Sequence, residues 1–387
     1  MKIGIDATFI LKEFDGGKDQ YLFNLLEGFE KNGVGKDFVI FCRKGMKDLF
    51  KKIIPSSEII ELDVKEYQII KILKKLGILK TGENINDAIF RSFFYKNIKE
   101  KYQINLLFFP KNRTGFLKSN VITIVIPHDI QSLTHGERIG LKTRIINYLF
   151  YSLDFKLRDY IISISEFDKK EILEKFSKYK SKVIRIYNPI NIDKKIIEIE
   201  VEKPYILGIN IAYEHKNIIT LLKAFKLVRD KIPHNLILIG KINSYGEILK
   251  KYVEENDLRD RVIFTGYVEN EKLYFLLKNS SLYVNPSIFE GFGMTAVEAM
   301  ILEVPTLVAY TTAMPEVTKN LCFYYKEIYN EKELAEKIIE ILSADLDRDK
   351  LKRISEVIFK EYNSLKISKD YYELFVEKIK KKIYKEM

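Results

Sequence analysis

Two glutamates, Glu290 and Glu298, punctuate the stretch Pro286-Ser287-Ile288-Phe289-Glu290-Gly291-Phe292-Gly293-Met294-Thr295-Ala296-Val297-Glu298-Ala299-Met300. The apolar run before it, residues 282–285, reads as a strand, and the run after Gly293 opens a helix. In a doubly wound sheet a loop at a strand's carboxyl end lines the ligand crevice. Gly291 and Gly293 let the backbone come close to a ligand. The free amides at the start of the helix, at Met294 and Thr295, favour a phosphate. A carboxylate on the loop and another about one turn into the helix can accept hydrogen bonds from different hydroxyls of one polyol. Spacing alone is weak ground, because most glutamates are simply solvated.

The surrounding pattern supplies the strands such a loop needs. Residues 2–7 read as a buried strand, followed by a loop with Gly16 and Gly17 and a helical pattern over 20–31. Further strands are predicted over 38–42, 105–109, 121–126, 160–165 and 183–187, with helical stretches between them, which is the signature of a parallel sheet. His128 follows the 121–126 strand after Pro127, so it is expected to project from a strand end. The sequence Asn188-Pro189-Ile190-Asn191 breaks the periodicity. A second series then begins, with strands predicted over 205–209, 235–239, 261–264, 282–285 and 306–309 and helix from 331 onward. The expected organisation is a first Rossmann-like domain over 1–190, a linker over 191–203, a second Rossmann-like domain over 204–365 and a last helix over 366–387 that can return to the first domain. Between 61 and 101 the pattern turns to lysine-rich helix and looks inserted. Its 68–80 portion is a basic amphipathic surface suited to an anionic membrane, although a core helix with a solvated lysine face reads the same way.

Length and composition agree with two soluble domains: 387 residues exceed the usual single core. Lys and Arg outnumber Asp and Glu by 65 to 54, giving +11, so anionic partners are favoured. Cys42 and Cys322 form no metal or disulfide motif, which fits a reducing cytoplasm. No apolar run approaches the ~18 residues of a membrane span. Asp345-Leu346-Asp347 follows a helix and reads as surface, not as a metal ligand pair.

With its context, the Glu290-Gly291-Phe292-Gly293 loop plus Glu298 and Ala299-Met300 resembles the glutamate, seven residues, glutamate signature of glycosyltransferase family 4. The N-terminal strand, His128-Asp129, Ile162-Ser163-Ile164-Ser165-Glu166-Phe167 and Lys216-Asn217 follow in the family's order. The resemblance implies an α/β chain of the GT-B fold, two Rossmann-like doubly wound domains facing across a cleft. It implies retention of anomeric configuration, a nucleotide-diphosphate sugar as donor, and neither cofactor nor catalytic metal. By the same resemblance Glu290 contacts donor-sugar hydroxyls, Glu298 the ribose, the amides near Phe292 and Gly293 the sugar or diphosphate, and Lys216 the leaving diphosphate. His128 lies near the donor sugar, and the Gly16 and Gly17 amides touch the diphosphate. Two departures stand out: no arginine shortly precedes Lys216, and Asp19-Gln20 replace a glycine and an arginine frequent in relatives. The expected acceptor is a glycan or lipid-linked hydroxyl, in cell-surface polysaccharide or glycolipid assembly, with the protein cytoplasmic or peripheral at the membrane's inner face. The competing readings are a sugar-nucleotide epimerase of the same fold, a basic nucleic-acid-binding protein, which the absence of a recognition motif disfavours, and an inactive scaffold.

Overall fold

Short apolar runs alternate with amphipathic helices throughout the computed structural model, which describes residues 1–11, 16–67, 83–134, 140–192 and 204–386. Buried on both faces, such runs suit parallel sheets, and two form. In the first, β1 (Ile3–Asp6), β2 (Phe38–Arg43), β3 (Glu58–Leu62), β4 (Leu106–Phe109), β5 (Ile122–Val125), β6 (Tyr160–Ser163) and β7 (Val183–Arg185) lie in the order 3-2-1-4-5-6-7. In the second, β8 (Tyr205–Ile209), β9 (Asn235–Ile239), β10 (Val262–Gly266), β11 (Leu282–Asn285), β12 (Thr306–Ala309) and β13 (Phe323–Tyr325) lie in the order 10-9-8-11-12-13. Every pairing is parallel. Both orders reverse direction once, between β1 and β4 and between β8 and β11. The carboxyl ends of those four strands are therefore where a ligand crevice opens.

Residues 1–189 and 362–387 form one compact unit, and 190–361 form the other. The chain thus re-enters the first unit at Tyr362, earlier than the 365/366 boundary read from the sequence, and leaves it at Pro189. Residues 193–203 of the expected linker lie outside the described residues. The returning helix, Ser364–Glu386, packs on the helix Gly17–Lys31. Asn32 Nδ2 donates to the Leu365 carbonyl at 2.9 Å and to Ser368 Oγ at 2.8 Å, and Tyr372 OH donates to Asp37 at 2.5 Å. Gly28 makes this approach possible. A Cβ there would sit 2.4 Å from the Ser364 carbonyl oxygen and 2.5 Å from Ser368 Oγ. Alanine gains about 1 kcal/mol of helix propensity over glycine, but overpacking against backbone costs about 1–3 kcal/mol. Gly28→Ala is therefore expected to lower the melting temperature by several degrees; an unchanged or higher value would show that the two helices do not meet this closely.

Two strands went unread in the sequence, β3 and β13, and both are edges of their sheets. An edge strand is only partly covered and carries charge or polar atoms that mask its period: β3 reads Glu-Ile-Ile-Glu-Leu and β13 is only Phe-Tyr-Tyr. The lysine-rich stretch after β3 also holds part of the first unit's core. Its helix Glu83–Phe94 delivers Arg91, whose Nε donates to Asp6 Oδ2 at 2.6 Å and whose Nη2 donates to Thr8 Oγ1 at 2.9 Å. Tyr95 OH donates to Asp6 Oδ1 at 2.9 Å, and Arg43 at the end of β2 pairs with Asp87 at 2.8 Å. The 68–80 segment lies outside the described residues. Among the described residues no helix is long and apolar enough to cross a membrane.

Candidate active site

In the second unit the loops that follow β8 and β11 come together at the point where strand order reverses. A backbone bond joins them, with Ile288 N donating to the His215 carbonyl at 2.8 Å. After β8 the chain turns through Asn210, at φ +69°, and a short 3-10 turn over Glu214–Lys216. Asn217 then adopts the left-handed conformation at φ +54° and starts the helix Ile218–Val228. Its side chain is tied at both ends: Nδ2 donates to the Ile328 carbonyl at 2.7 Å, and Oδ1 accepts from Thr220 Oγ1 at 2.8 Å. Asparagine tolerates this backbone region better than most residues, so the Lys216-Asn217 pair combines a cation with the turn that aims it.

Lys216 Nζ meets Glu290 Oε1 at 2.8 Å, with side-chain exposures of 15% and 12%. The same carboxylate oxygen accepts from Ser287 Oγ at 2.8 Å and Asn285 Nδ2 at 3.2 Å. The Glu290 main-chain N–H donates to Thr312 Oγ1 at 3.0 Å, from the loop after β12, where Thr312 holds φ +50°. Burial alone would raise the Glu290 carboxyl, but the Lys216 ammonium and the three hydrogen bonds outweigh it and hold the group below its ordinary 4.5. Glu290 is therefore ionised at neutral pH, and both side chains are largely shielded from water.

Beyond Glu290 the loop turns into the helix Met294–Ile301 through Gly293, left-handed at φ +83°. No side chain caps this helix, which leaves its first amides available to an anion. A Cβ at Gly293 would also lie 2.6 Å from Met314 Sδ. Phe292 is buried, as is Glu298, which accepts a hydrogen bond from Tyr274 OH at 2.9 Å. Tyr283 on β11 lies buried close to both carboxylates. Burial first, then Glu290 and Glu298, push its phenol well above 10, so it remains neutral.

The structure thus assembles Lys216, Glu290, Gly291, Phe292, Gly293, Met294, Thr295 and Glu298 on one end of one sheet. Asn285, Ser287, Thr312 and Tyr274, which hold the two glutamates, escaped the sequence reading. Only Asn285 and Ser287 carried a signal, being polar residues at a strand end just before Glu290.

Gly16, Gly17 and His128 belong to the first unit. Gly16, at φ +89°, caps the helix Gly17–Lys31 without a side-chain bond. His128 follows β5 as expected, but its side chain does not project freely. The residue is only 5% exposed, is held at φ +67°, stands edge-on to Tyr21 at 4.8 Å, and lies 2.7 Å through Nε2 from the Pro110 carbonyl. Burial, and after it the nearby Lys18, push its pKa down to about 3. A neutral ring donating from Nε2 to Pro110 is the consistent state. The geometry gives a fixed hydrogen-bonding ring, and burial disfavours its protonated form.

Residues 189–357 match the family model of glycosyl transferases group 1. O-antigen chain mannosyltransferase RfbU of Salmonella typhimurium is 28% identical over 208 residues, which is 54% of this chain and 57% of that protein. The match therefore spans little more than half of that relative's length. The uncharacterized glycosyltransferase MJ1178 of Methanocaldococcus jannaschii is 28% identical over 277 residues, 70% of this chain and 75% of that protein. Among solved structures, Anabaena HepE in complex with UDP and glucose superposes with a TM-score of 0.73 at 15% identity, covering 97% of this chain and 99% of that one. The two parallel sheets have the GT-B architecture. The family match over residues 189–357 and the curated relatives support the superfamily of group 1 glycosyltransferases, and the solved structures show its fold.

Proposed function

We propose that the protein is a retaining glycosyltransferase of family 4 that moves a hexosyl group from a nucleotide-diphosphate sugar to a hydroxyl of a glycan or lipid-linked acceptor, without a catalytic metal. The observation that carries this reading is the Lys216–Glu290 pair at the strand-order reversal, beside an uncapped helix start. When the donor's C1–O bond breaks, charge collects on the departing diphosphate. A preorganised ammonium and helix amides stabilise that charge most strongly where water is scarce. In this assignment Lys216 and the amides of Gly293, Met294 and Thr295 receive the diphosphate, Glu290 orders the sugar hydroxyls and Glu298 the ribose. Gly291 and Phe292 shape the loop.

The acceptor hydroxyl is assigned to attack C1 on the face the diphosphate leaves, passing its proton to a phosphate oxygen. His128, in the first unit, is held neutral and is not assigned as a base. The mannosyltransferase named for RfbU and the UDP and glucose bound to HepE support a hexose donor and cell-surface polysaccharide or glycolipid assembly as the setting. A cytoplasmic location, peripheral at the inner membrane face, follows from a lipid-linked acceptor.

Proton NMR of donor turnover in EDTA tests the chemistry. An α-linked donor is expected to yield an α-linked product first. An inverted product, or turnover that starts only when divalent metal is restored, would defeat the mechanism, and net isomerisation of the donor sugar without transfer would favour an epimerase.

A further inference from the structure

Glu298 is a carboxylate in a stretch that is otherwise core. It stands in the helix Met294–Ile301 between Val297 and Ala299, both fully buried, and is itself only 4% exposed. A buried carboxylate is costly unless hydrogen-bond donors reach it. One donor comes from the helix Asn270–Lys278, which joins β10 to β11 and turns Tyr274, Leu276 and Leu277 inward. Tyr274 is 1% exposed, and its phenol donates to Glu298 Oε1 at 2.9 Å from 24 positions away in the chain. A buried phenol needs a partner too, so the contact satisfies both groups.

The helix that carries Tyr274 is also held by other groups. Tyr205, at the start of β8, donates from its hydroxyl to the Leu276 carbonyl at 2.8 Å, and Leu276 and Leu277 are buried. What the Tyr274 phenol adds is the direction of a carboxylate. The last torsion of a glutamate is broad, so the side chain alone does not fix the plane of its two oxygens. That plane decides which hydroxyls can donate to them, because acceptance is favoured near it. A bond from a buried phenol to one oxygen sets it. Tyr283 is the less specific neighbour, since Glu290 and Glu298 both act on it and a change there reaches both glutamates.

We propose that Tyr274 is a positioning residue that sets the plane of the Glu298 carboxylate for the sugar hydroxyls of the nucleotide, and so gives the protein its preference for a hydroxylated nucleotide over a dideoxy one. This role rests on the assignment of Glu298 to the ribose. The hydroxyls of the ribose keep their bonds while the donor's C1–O bond breaks. Tyr274 therefore acts on nucleotide affinity and not on the rate of bond cleavage, in contrast to Lys216.

The test is titration calorimetry of the full chain with UDP, GDP and dTDP, each beside its dideoxy counterpart, for the wild type, Tyr274→Phe, Glu298→Ala and the double variant. The nucleotide that binds the wild type should do so at least about tenfold more tightly than its dideoxy form, the scale of one hydrogen bond to a charged group. Tyr274→Phe, which keeps the ring and its packing, should lower that ratio at least about threefold. It should do so by weakening the hydroxylated nucleotide and leaving the dideoxy form near its wild-type affinity. A purely structural defect would weaken both alike. Because the phenol acts through Glu298, the double variant should show the ratio of Glu298→Ala alone. The wild-type ratio in Tyr274→Phe, equal weakening of both nucleotides, or a further fall in the double variant would each overturn the proposal. A nucleotide that binds the wild type with no preference for its hydroxyls would overturn it and leave the transferase reading standing, whereas no binding of any of the three would overturn both.

Discussion

Lys216→Ala is expected to reduce sugar transfer by about 10²–10³-fold, the usual consequence of removing one preorganised group that stabilises transition-state charge. The loss should fall mainly on kcat, because the charge Lys216 meets grows as the diphosphate departs. A stability cost accompanies it. Removing one partner of a fully buried pair costs about 3–5 kcal/mol, but here Glu290 keeps its bonds to Ser287 and Asn285 and retains some contact with water. The cost should therefore fall clearly below that range, and circular dichroism should show an intact second unit. The acid dependence has a definite sign. Because the Glu290 carboxyl is held below 4.5 in the folded chain, its contribution to stability is present above that value and is lost as pH falls through the lower, folded one. Glu290→Gln should remove that part of the acid unfolding. Steady-state transfer assays with melting curves check both halves; wild-type kcat in Lys216→Ala would remove the cation from the mechanism.

Asp6→Ala should have the largest effect on stability, about 3–5 kcal/mol, a large share of the 5–15 kcal/mol typical of a folded domain. Asp6 at the end of β1 accepts from Arg91, Tyr95, Thr8 Oγ1 and Thr8 N. Asp6 and Arg91 are each only 4% exposed at the side chain. Alanine leaves the Arg91 guanidinium buried without its nearest carboxylate, with Asp87 3.8 Å away. Asp6→Asn, which can still accept from Thr8 and Tyr95, should lose less. Asp63→Ala, whose partner Lys65 is exposed, should leave stability unchanged, as surface pairs usually do. Urea unfolding of the three variants checks the order; equal midpoints would show that the Arg91 contact is weak.

The Glu290 to Glu298 stretch was legible because glycines, carboxylates and a strand-to-helix change coincide within a few residues. The Lys216–Glu290 contact spans 74 positions and was not foreseen; resemblance gave the two residues separate roles at the donor. Asp6 and Arg91 lie 85 positions apart, and nothing in either residue's neighbourhood announces the pair. The lysines around helix Glu83–Phe94 made that region look like an insertion, whereas its buried face carries Arg91, Ser92 and Tyr95 into the first unit. Central strands announced themselves through unbroken apolar runs. The edge strands β3 and β13 did not, because partial exposure admits polar residues that blur the period. His128 shows the same limit at a single side chain: its place after β5 was readable, while its burial against Tyr21 and Pro110 came from residues far along the chain.

The Lys216–Glu290 loop pair is proposed to receive a nucleotide diphosphate. Thermal shift of the wild type and Lys216→Ala in EDTA, against UDP, GDP and dTDP, tests it most directly, since a ligand that binds only the folded state raises the melting temperature. One nucleotide should raise the wild-type value without metal, and the Lys216→Ala shift should be much smaller. No shift with any of the three, or an equal shift in the variant, would contradict it.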